Sequence, residues 1–174
     1  MKTIGLFYAM NAAKTSHIAE KIREDLGGVK VIEVVLIEKA WQNDFQAYDN
    51  MIVGASTWFD GELPTYWDEL VPELESLDLK GKKVAIFGLG DQKNYPDNFV
   101  DGMGILADAF QKAGAELVGF TSTDGYPFNQ SRAVRGEKFC GLVIDQENQA
   151  QLTSKRIADW CKLIKEDFTS NKKE

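Results

Sequence analysis

The stretch Ile4-Gly-Leu-Phe-Tyr8, continued by Ala9-Met-Asn-Ala-Ala-Lys-Thr15 and by Ser16 to Leu26, decides the architecture. Its opening five residues lack the polar–apolar alternation of a half-exposed strand, as in a strand covered on both faces. Ile18, Ile22 and Leu26 then recur at helical spacing. Strand, turn, helix sets a helix N-terminus beside a strand end, where backbone N–H groups attract anions. The turn is unusual for an anion grip, since it holds no glycine and one hydroxyl, Thr15.

The pattern repeats along the chain. Further strands are expected over Val29 to Val35, Met51 to Ala55, Val84 to Phe87 and Leu117 to Phe120. Helical spacings separate or follow them: Tyr66, Leu70 and Leu74; Met103, Leu106, Ala107 and Phe110; Ile157, Trp160, Cys161 and Ile164. Strands alternating with helices predict an α/β fold, a doubly wound five-stranded parallel sheet. Either a short dinucleotide-binding order or the order 2-1-3-4-5 fits, and both place ligands at the carboxyl ends of the strands. Thr121 to Ile144 carries aromatics, turn residues and the pair Arg132 and Arg135 without a helical period, and reads as an insertion in or after the fifth strand. Residues 1–174 are expected to form one domain, with a frayed polar tail from Thr169 to Glu174.

A chain of 174 residues buries roughly 70% of its unfolded surface and needs no metal or disulfide. Cys140 and Cys161 sit among apolar neighbours and read as buried thiols. No signal-peptide pattern or 18-residue apolar run is present, so a cytoplasmic location is expected. The net charge of −7 disfavours nucleic acid and anionic membrane, and suits docking on a basic protein surface. His17, the single histidine, reads as a solvent-facing helix residue. No Cys-x-x-Cys, metal-ligand spacing, Ser-His-Asp set or Walker loop occurs. Trp41, Trp67 and Trp160 read as core or half-buried packing.

The turns after the third and fourth strands carry the chemistry. Ser56-Thr-Trp-Phe-Asp-Gly-Glu-Leu63 places Trp58 in a solvated turn, and Gly88-Leu-Gly-Asp91 leads to a second loop aromatic, Tyr95. Two aromatics at neighbouring strand ends can flank a flat ring, each face contributing roughly 1 to 3 kcal/mol by analogy with base stacking. Glycines at 88 and 90 are expected to let the backbone approach a ligand.

With these residues in view the chain resembles a flavodoxin of the long-chain type. The resemblance covers nearly the whole sequence. It rests on Ser56-Thr-Trp58 with Gly61-Glu-Leu63, on Phe87-Gly-Leu-Gly-Asp-Gln92 with Tyr95-Pro-Asp-Asn-Phe99, and on Ser122-Thr-Asp-Gly-Tyr126 with Lys138-Phe-Cys-Gly-Leu142 and Asp145. It implies order 2-1-3-4-5 with an insertion in the fifth strand, and a low-potential one-electron carrier, not an enzyme, with non-covalent FMN. The ring would lie between Trp58 and Tyr95. Ser56, Thr57, Phe59, Asp60 and Gly61 would pass beside its N5 edge, with Phe59 shielding it, and Gly88, Leu89, Gly90 and Asp91 would meet the pyrimidine edge. Asn98 and Phe99 would close that side, and Asp145 would lie near the ribityl chain. Amid Asp60, Glu62, Asp91 and Asp145, adding a second electron is disfavoured by charge repulsion and lost solvation. Implied partners are redox proteins with basic docking surfaces, such as ferredoxin-NADP reductase, photosystem I or other oxidoreductases, and a monomer is expected.

The first loop departs from the family pattern. Flavodoxins usually carry hydroxyls at the positions of Met10, Ala12 and Thr15 and glycine at Ala13; here only Thr15 matches. Two lost hydroxyls would weaken phosphate binding by about 3 to 6 kcal/mol if nothing replaced them. Backbone N–H groups over Met10 to Thr15, the Asn11 amide, the Lys14 charge and Thr15 are the expected grip. Two alternatives stand beside the carrier: a flavodoxin-derived protein-binding module with weakened or lost FMN binding, and an FMN-dependent quinone reductase. The second needs an open ring face, against which Trp58 and Tyr95 argue.

Overall fold

The computed structural model describes residues 3–58 and 60–170. The expectations for Phe59 and for the tail beyond Ser170 lie outside them. Five parallel positions form the main sheet: β1 (Ile4–Tyr8), β2 (Ile32–Leu36), β3 (Asn50–Ser56), β4 (Lys83–Leu89) and β5 (Glu116–Val118), in the order β2-β1-β3-β4-β5. Ile4 faces Ile32 on one side and Asn50 on the other, and Asn50 in turn faces Lys83. All five residues of β1 are buried, as expected for a strand covered on both faces.

Helices cover both faces. On one, α1 (Ala13–Asp25) brings Ile18 and Ile22 against Leu6 and Ile52, joined by Ile157, Trp160, Cys161 and Ile164 of the long C-terminal helix. On the other, α2 (Gln42–Gln46), α3 (Thr65–Glu75) and α4 (Asp101–Lys112) bury Phe45, Trp67, Met103, Leu106 and Phe110 over Phe7, Val53 and Ile86. The buried indoles keep partners, Trp67 Nε1 donating to Gly54 O at 3.2 Å and Trp160 Nε1 to Gly119 O at 2.8 Å. Burial pushes the Cys140 thiol up to about 11 and the Cys161 thiol up to about 12, so both stay protonated at neutral pH.

The fifth position is split. β5 lies against Lys83 to Ala85 and ends at Gly119, whose φ of +79° turns the chain away. The chain then forms a small antiparallel sheet from β6 (Thr121–Ser122), β7 (Val134–Arg135) and β8 (Lys138–Phe139), in the order β6-β8-β7. It returns as β9 (Leu142–Ile144) beside Phe87 to Leu89. The insertion therefore stands within the fifth strand, and Leu142 to Ile144, read from sequence as its end, is the strand's second half. Rings fasten it down: Tyr126 and Phe128 lie 5.1 and 5.3 Å from Phe139, and Phe128 lies 5.5 Å from Phe99. Arg135 Nη2 reaches Asp108 Oδ1 at 2.6 Å, tying the insertion to α4. After β9 come α5 (Gln146–Gln149) and α6 (Thr153–Thr169).

Three expectations change. The second strand begins at Ile32, since residues Gly28–Lys30 form a 3-10 turn that leaves Val29 exposed. The fifth strand stops before Gly119 and Phe120. Trp41, expected in packing, is 76% exposed, whereas Trp67 and Trp160 are in the core.

Candidate functional site

The carboxyl ends of β1, β3 and β4 lie side by side, because parallel strands all point the same way. After β1, residues 9–12 lead into α1, which starts without a side-chain cap because Ala12 has no acceptor to offer. First-turn N–H groups have no intrahelical partner. One loop amide is already engaged: Asn11 N–H donates to Glu38 Oε1 at 3.2 Å. Thr15 is only 1% exposed, and its Oγ1 has no hydrogen-bond partner among the described residues. A buried hydroxyl left unpaired costs about 1 to 3 kcal/mol, so its place in the first turn of a helix fits a group that accepts hydrogen bonds.

After β3 the chain makes a narrow ladder. Trp58 and Glu62 exchange two backbone bonds of 2.8 Å each, closed by Gly61 at φ +96°. A Cβ on Gly61 would stand 2.7 Å from Asp101 Oδ2, so the loop rests directly on the start of α4. Thr57 Oγ1 accepts the Gly102 N–H at 3.0 Å, a second tie to that helix. Trp58 is half-buried and meets Tyr66 edge-on, centroids 6.2 Å apart and planes at 72°.

After β4, Gly90 N–H donates to Ile144 O at 3.1 Å, extending the β4–β9 ladder by one rung. Asp91 then closes a turn. Its Oδ1 accepts from Lys93 N at 3.1 Å, Asn94 N at 3.0 Å and Asn148 Nδ2 at 2.8 Å, and its Oδ2 from Asn94 Nδ2 at 2.7 Å. Desolvation pulls the Asp91 carboxyl upward, but the bonds from Asn94, Asn148 and Lys93 outweigh it and hold it below its ordinary value. The turn presents Tyr95, 49% exposed. Val100 follows at φ +48°, the one non-glycine residue in the left-handed region among those described, a conformation that costs a β-branched side chain about 1 to 2 kcal/mol.

The strand ends enclose a cavity of about 240 Å³ lined by Lys14, Ser56, Thr57, Leu89, Gly90, Asp91, Tyr95, Gln146 and Glu147. It brings together residues expected from three separate loops. Gln146 and Glu147 were not expected; they follow Asp145 directly, and Glu147 forms an ion pair with Lys14 across the mouth. Glu38 was also missed, and nothing local in the sequence marks it. Ala13 and Lys14 line an adjoining concavity with exposed His17. Met10 and Asp60 are exposed at the periphery, and Ala12 and Asn98 are half-buried.

Two residues expected at the cavity, Phe99 and Asp145, are buried away from it, and the two glycines are bare for a packing reason as well. Gly88 and Gly90 leave no room for a Cβ because protein occupies it: Met103 Sδ would stand 2.8 Å from the first and Val100 Cγ1 2.9 Å from the second. Their bareness seats α4 and its N-terminal turn. Phe99 is 1% exposed and stacks into the insertion's aromatic cluster, so it anchors the loop from beneath. Asp145 is 0% exposed, with Oδ2 accepting Gln92 N at 3.1 Å and Oδ1 accepting Asn148 N at 3.0 Å. It joins the β4 turn to α5 and presents no surface of its own.

A family model described as Flavodoxin matches residues 6–160. The chain belongs to the flavodoxin family. It is 44% identical over 168 residues to the flavodoxin of Synechococcus elongatus, covering 97% of this chain and 99% of that protein. It is 42% identical over 173 residues to the flavodoxin of Klebsiella pneumoniae, covering 95% and 98%. Among solved structures, Fusobacterium nucleatum flavodoxin bound to flavin mononucleotide superposes with a TM-score of 0.90 at 36% identity, over 96% of this chain and 99% of that one. In this family setting the split fifth strand identifies the inserted segment of the sequence as a small sheet rather than a loose loop. No helix among the described residues is long and apolar enough to cross a membrane.

Proposed function

We propose that this chain is a low-potential one-electron carrier, not an enzyme, that holds FMN non-covalently at the carboxyl ends of β1, β3 and β4. The observation that carries the reading is the buried, unpartnered Thr15 hydroxyl in the first turn of α1, next in the chain to Lys14, which lines a cavity shared with the ends of β3 and β4. Bound flavin supplies the redox chemistry, taking up and releasing electrons one at a time. This chain's residues bind it, orient it and limit water at its edge. N–H groups from Met10 to Thr15, with Thr15 Oγ1 and the Lys14 charge, would hold the phosphate. Trp58 and Tyr95 would cover the ring faces, and Ser56, Thr57, Asp60, Gly61, Gly90 and Asp91 would border it.

The setting is acidic: Asp91 and Glu147 line the cavity with Lys14 as the counter-charge, and the exposed Asp60 and Glu62 follow in the loop after β3. Negative charge added to a bound ring would be disfavoured there, which is the physical basis of a low potential. Donor and acceptor would be redox proteins with basic surfaces, and the location cytoplasmic. The Glu38 carboxylate on the Asn11 amide favours one competing reading, a protein-binding module with weakened FMN affinity. The visible spectrum of the purified protein separates the two. Yellow protein that releases FMN on denaturation supports the carrier, and colourless protein that no added FMN reconstitutes refutes it.

A further inference from the structure

Trp41 stands out among the aromatics because its backbone is fixed while its ring is in solvent. Trp41 N–H donates to Asp44 Oδ2 at 2.7 Å and Trp41 O accepts Asp44 N–H at 3.0 Å, a reciprocal cap on α2. The 76% exposure of this residue is therefore a presented surface and not a frayed end. Beside it lies a groove of about 700 Å³ between the end of β2 and α3, whose apolar floor comes from Ile37, Tyr66 and Leu70. Its rim carries Glu38, Glu69 and Glu73 against one cation, Lys39. Glu69 and Glu73 are four residues apart on α3 and both are exposed. The groove adjoins the candidate ring site, since Tyr66 also packs edge-on against Trp58 at 6.2 Å.

We infer that this groove is a docking site for a basic segment of a protein partner, with Trp41 as its anchor. The inference rests on the carrier reading, which makes that partner a redox protein. Lysine or arginine side chains would lie over the indole face and pair with Glu69 and Glu73, while an apolar neighbour covers Leu70. Charge selects this occupant over the others. A second copy of the chain would bring the same acidic groove and a net charge of −7, and nucleic acid or anionic lipid would be repelled likewise.

The test uses cytochrome c, a lysine-rich electron-accepting protein, as the probe. Its dissociation constant at low ionic strength is measured with FMN-free protein, and the rate at which the ferric probe is reduced is measured with FMN-loaded protein that stoichiometric dithionite has reduced beforehand, each ferric haem taking one electron from the reduced flavin. Trp41→Ala and the pair Glu69→Gln/Glu73→Gln should each weaken binding and slow reduction at least fivefold, and the pair should flatten the salt dependence. A matched pair on the opposite face, Glu24→Gln/Glu166→Gln, should change either by less than twofold. If the groove variants do no more than that control, the inference is overturned, wherever else the probe binds. Failure of the wild-type chain to take up FMN would sink the carrier reading alone, because binding to the FMN-free protein still reports on the groove.

Discussion

The carboxylate of Glu38 accepts the backbone N–H of Asn11 at 3.2 Å, so an acid from the end of β2 occupies an amide in the loop that opens α1. In a loop built to receive an anion, that contact is a competitor: a phosphate gaining the amide has to displace one negative charge and sit near it. Glu38→Gln keeps the shape and removes the charge. It should tighten FMN binding about two- to fivefold, the scale of an exposed charge contact of up to ~1 kcal/mol, and leave riboflavin affinity unchanged. Titration of the cofactor-free protein by quenching of flavin fluorescence reads both. Unchanged or weaker FMN affinity in the variant would show that Glu38 does not compete.

Thr15→Val separates folding from binding. Removing a buried hydroxyl with no partner should raise the stability of the cofactor-free protein by about 1 to 3 kcal/mol, read from urea unfolding. The same change should weaken FMN binding roughly ten- to hundred-fold, the loss of one bond to a charged group of about 1.5 to 3 kcal/mol. A variant that loses stability and keeps FMN affinity contradicts the assignment of Thr15 to the phosphate.

Gly61→Ala places a Cβ at φ +96° and 2.7 Å from Asp101 Oδ2. Backbone strain of about 1 to 2 kcal/mol adds to overpacking of about 1 to 3 kcal/mol. The expected destabilisation is roughly 2 to 5 kcal/mol, or a smaller loss with the Trp58–Glu62 ladder opened. Amide hydrogen exchange at Trp58 and Glu62 tells the two responses apart, and a variant as stable and as protected as wild type refutes the close packing of Gly61 on Asp101.

Asp101 supplies a pH test. Burial pushes its carboxyl above the ordinary aspartate value, against the opposing pull of the Arg132 N–H, which it accepts at 2.7 Å, and of the Arg132 charge. Such a group holds its proton more tightly folded than unfolded. It costs no stability below the ordinary carboxylate pKa and becomes destabilising as pH rises through the window above it. Asp101→Asn does not ionise, so its melting temperature relative to wild type should climb as pH rises from about 4 to 7. A difference that stays flat or narrows would contradict a raised carboxyl.

Much of the site's framework was legible because burial on both faces leaves a local mark. Unbroken apolar runs such as Ile4 to Tyr8 and Val84 to Phe87 announced covered parallel strands, and Trp58 and Tyr95 were conspicuous as aromatics in turns. The second half of the fifth strand was not legible. Leu142 to Ile144 is three residues long, and its partner in the ladder, Phe87 to Leu89, lies over fifty positions earlier.

By itself the sequence determined the alternation of strand and helix and the edge of the sheet where the loops would gather, since these depend on periodicity that each segment carries alone; it left two strand orders open, and the pairing of β1 with both β2 and β3 decided between them. Only the tertiary structure decided which surfaces remain free. Phe99 and Asp145 disappeared beneath the site, Gly88 and Gly90 proved bare to admit Met103 and Val100, and Trp41 came out into solvent beside three carboxylates. The reason is that a side chain's surroundings are set by residues distant in the chain, so neither its type nor its neighbours in sequence can state them.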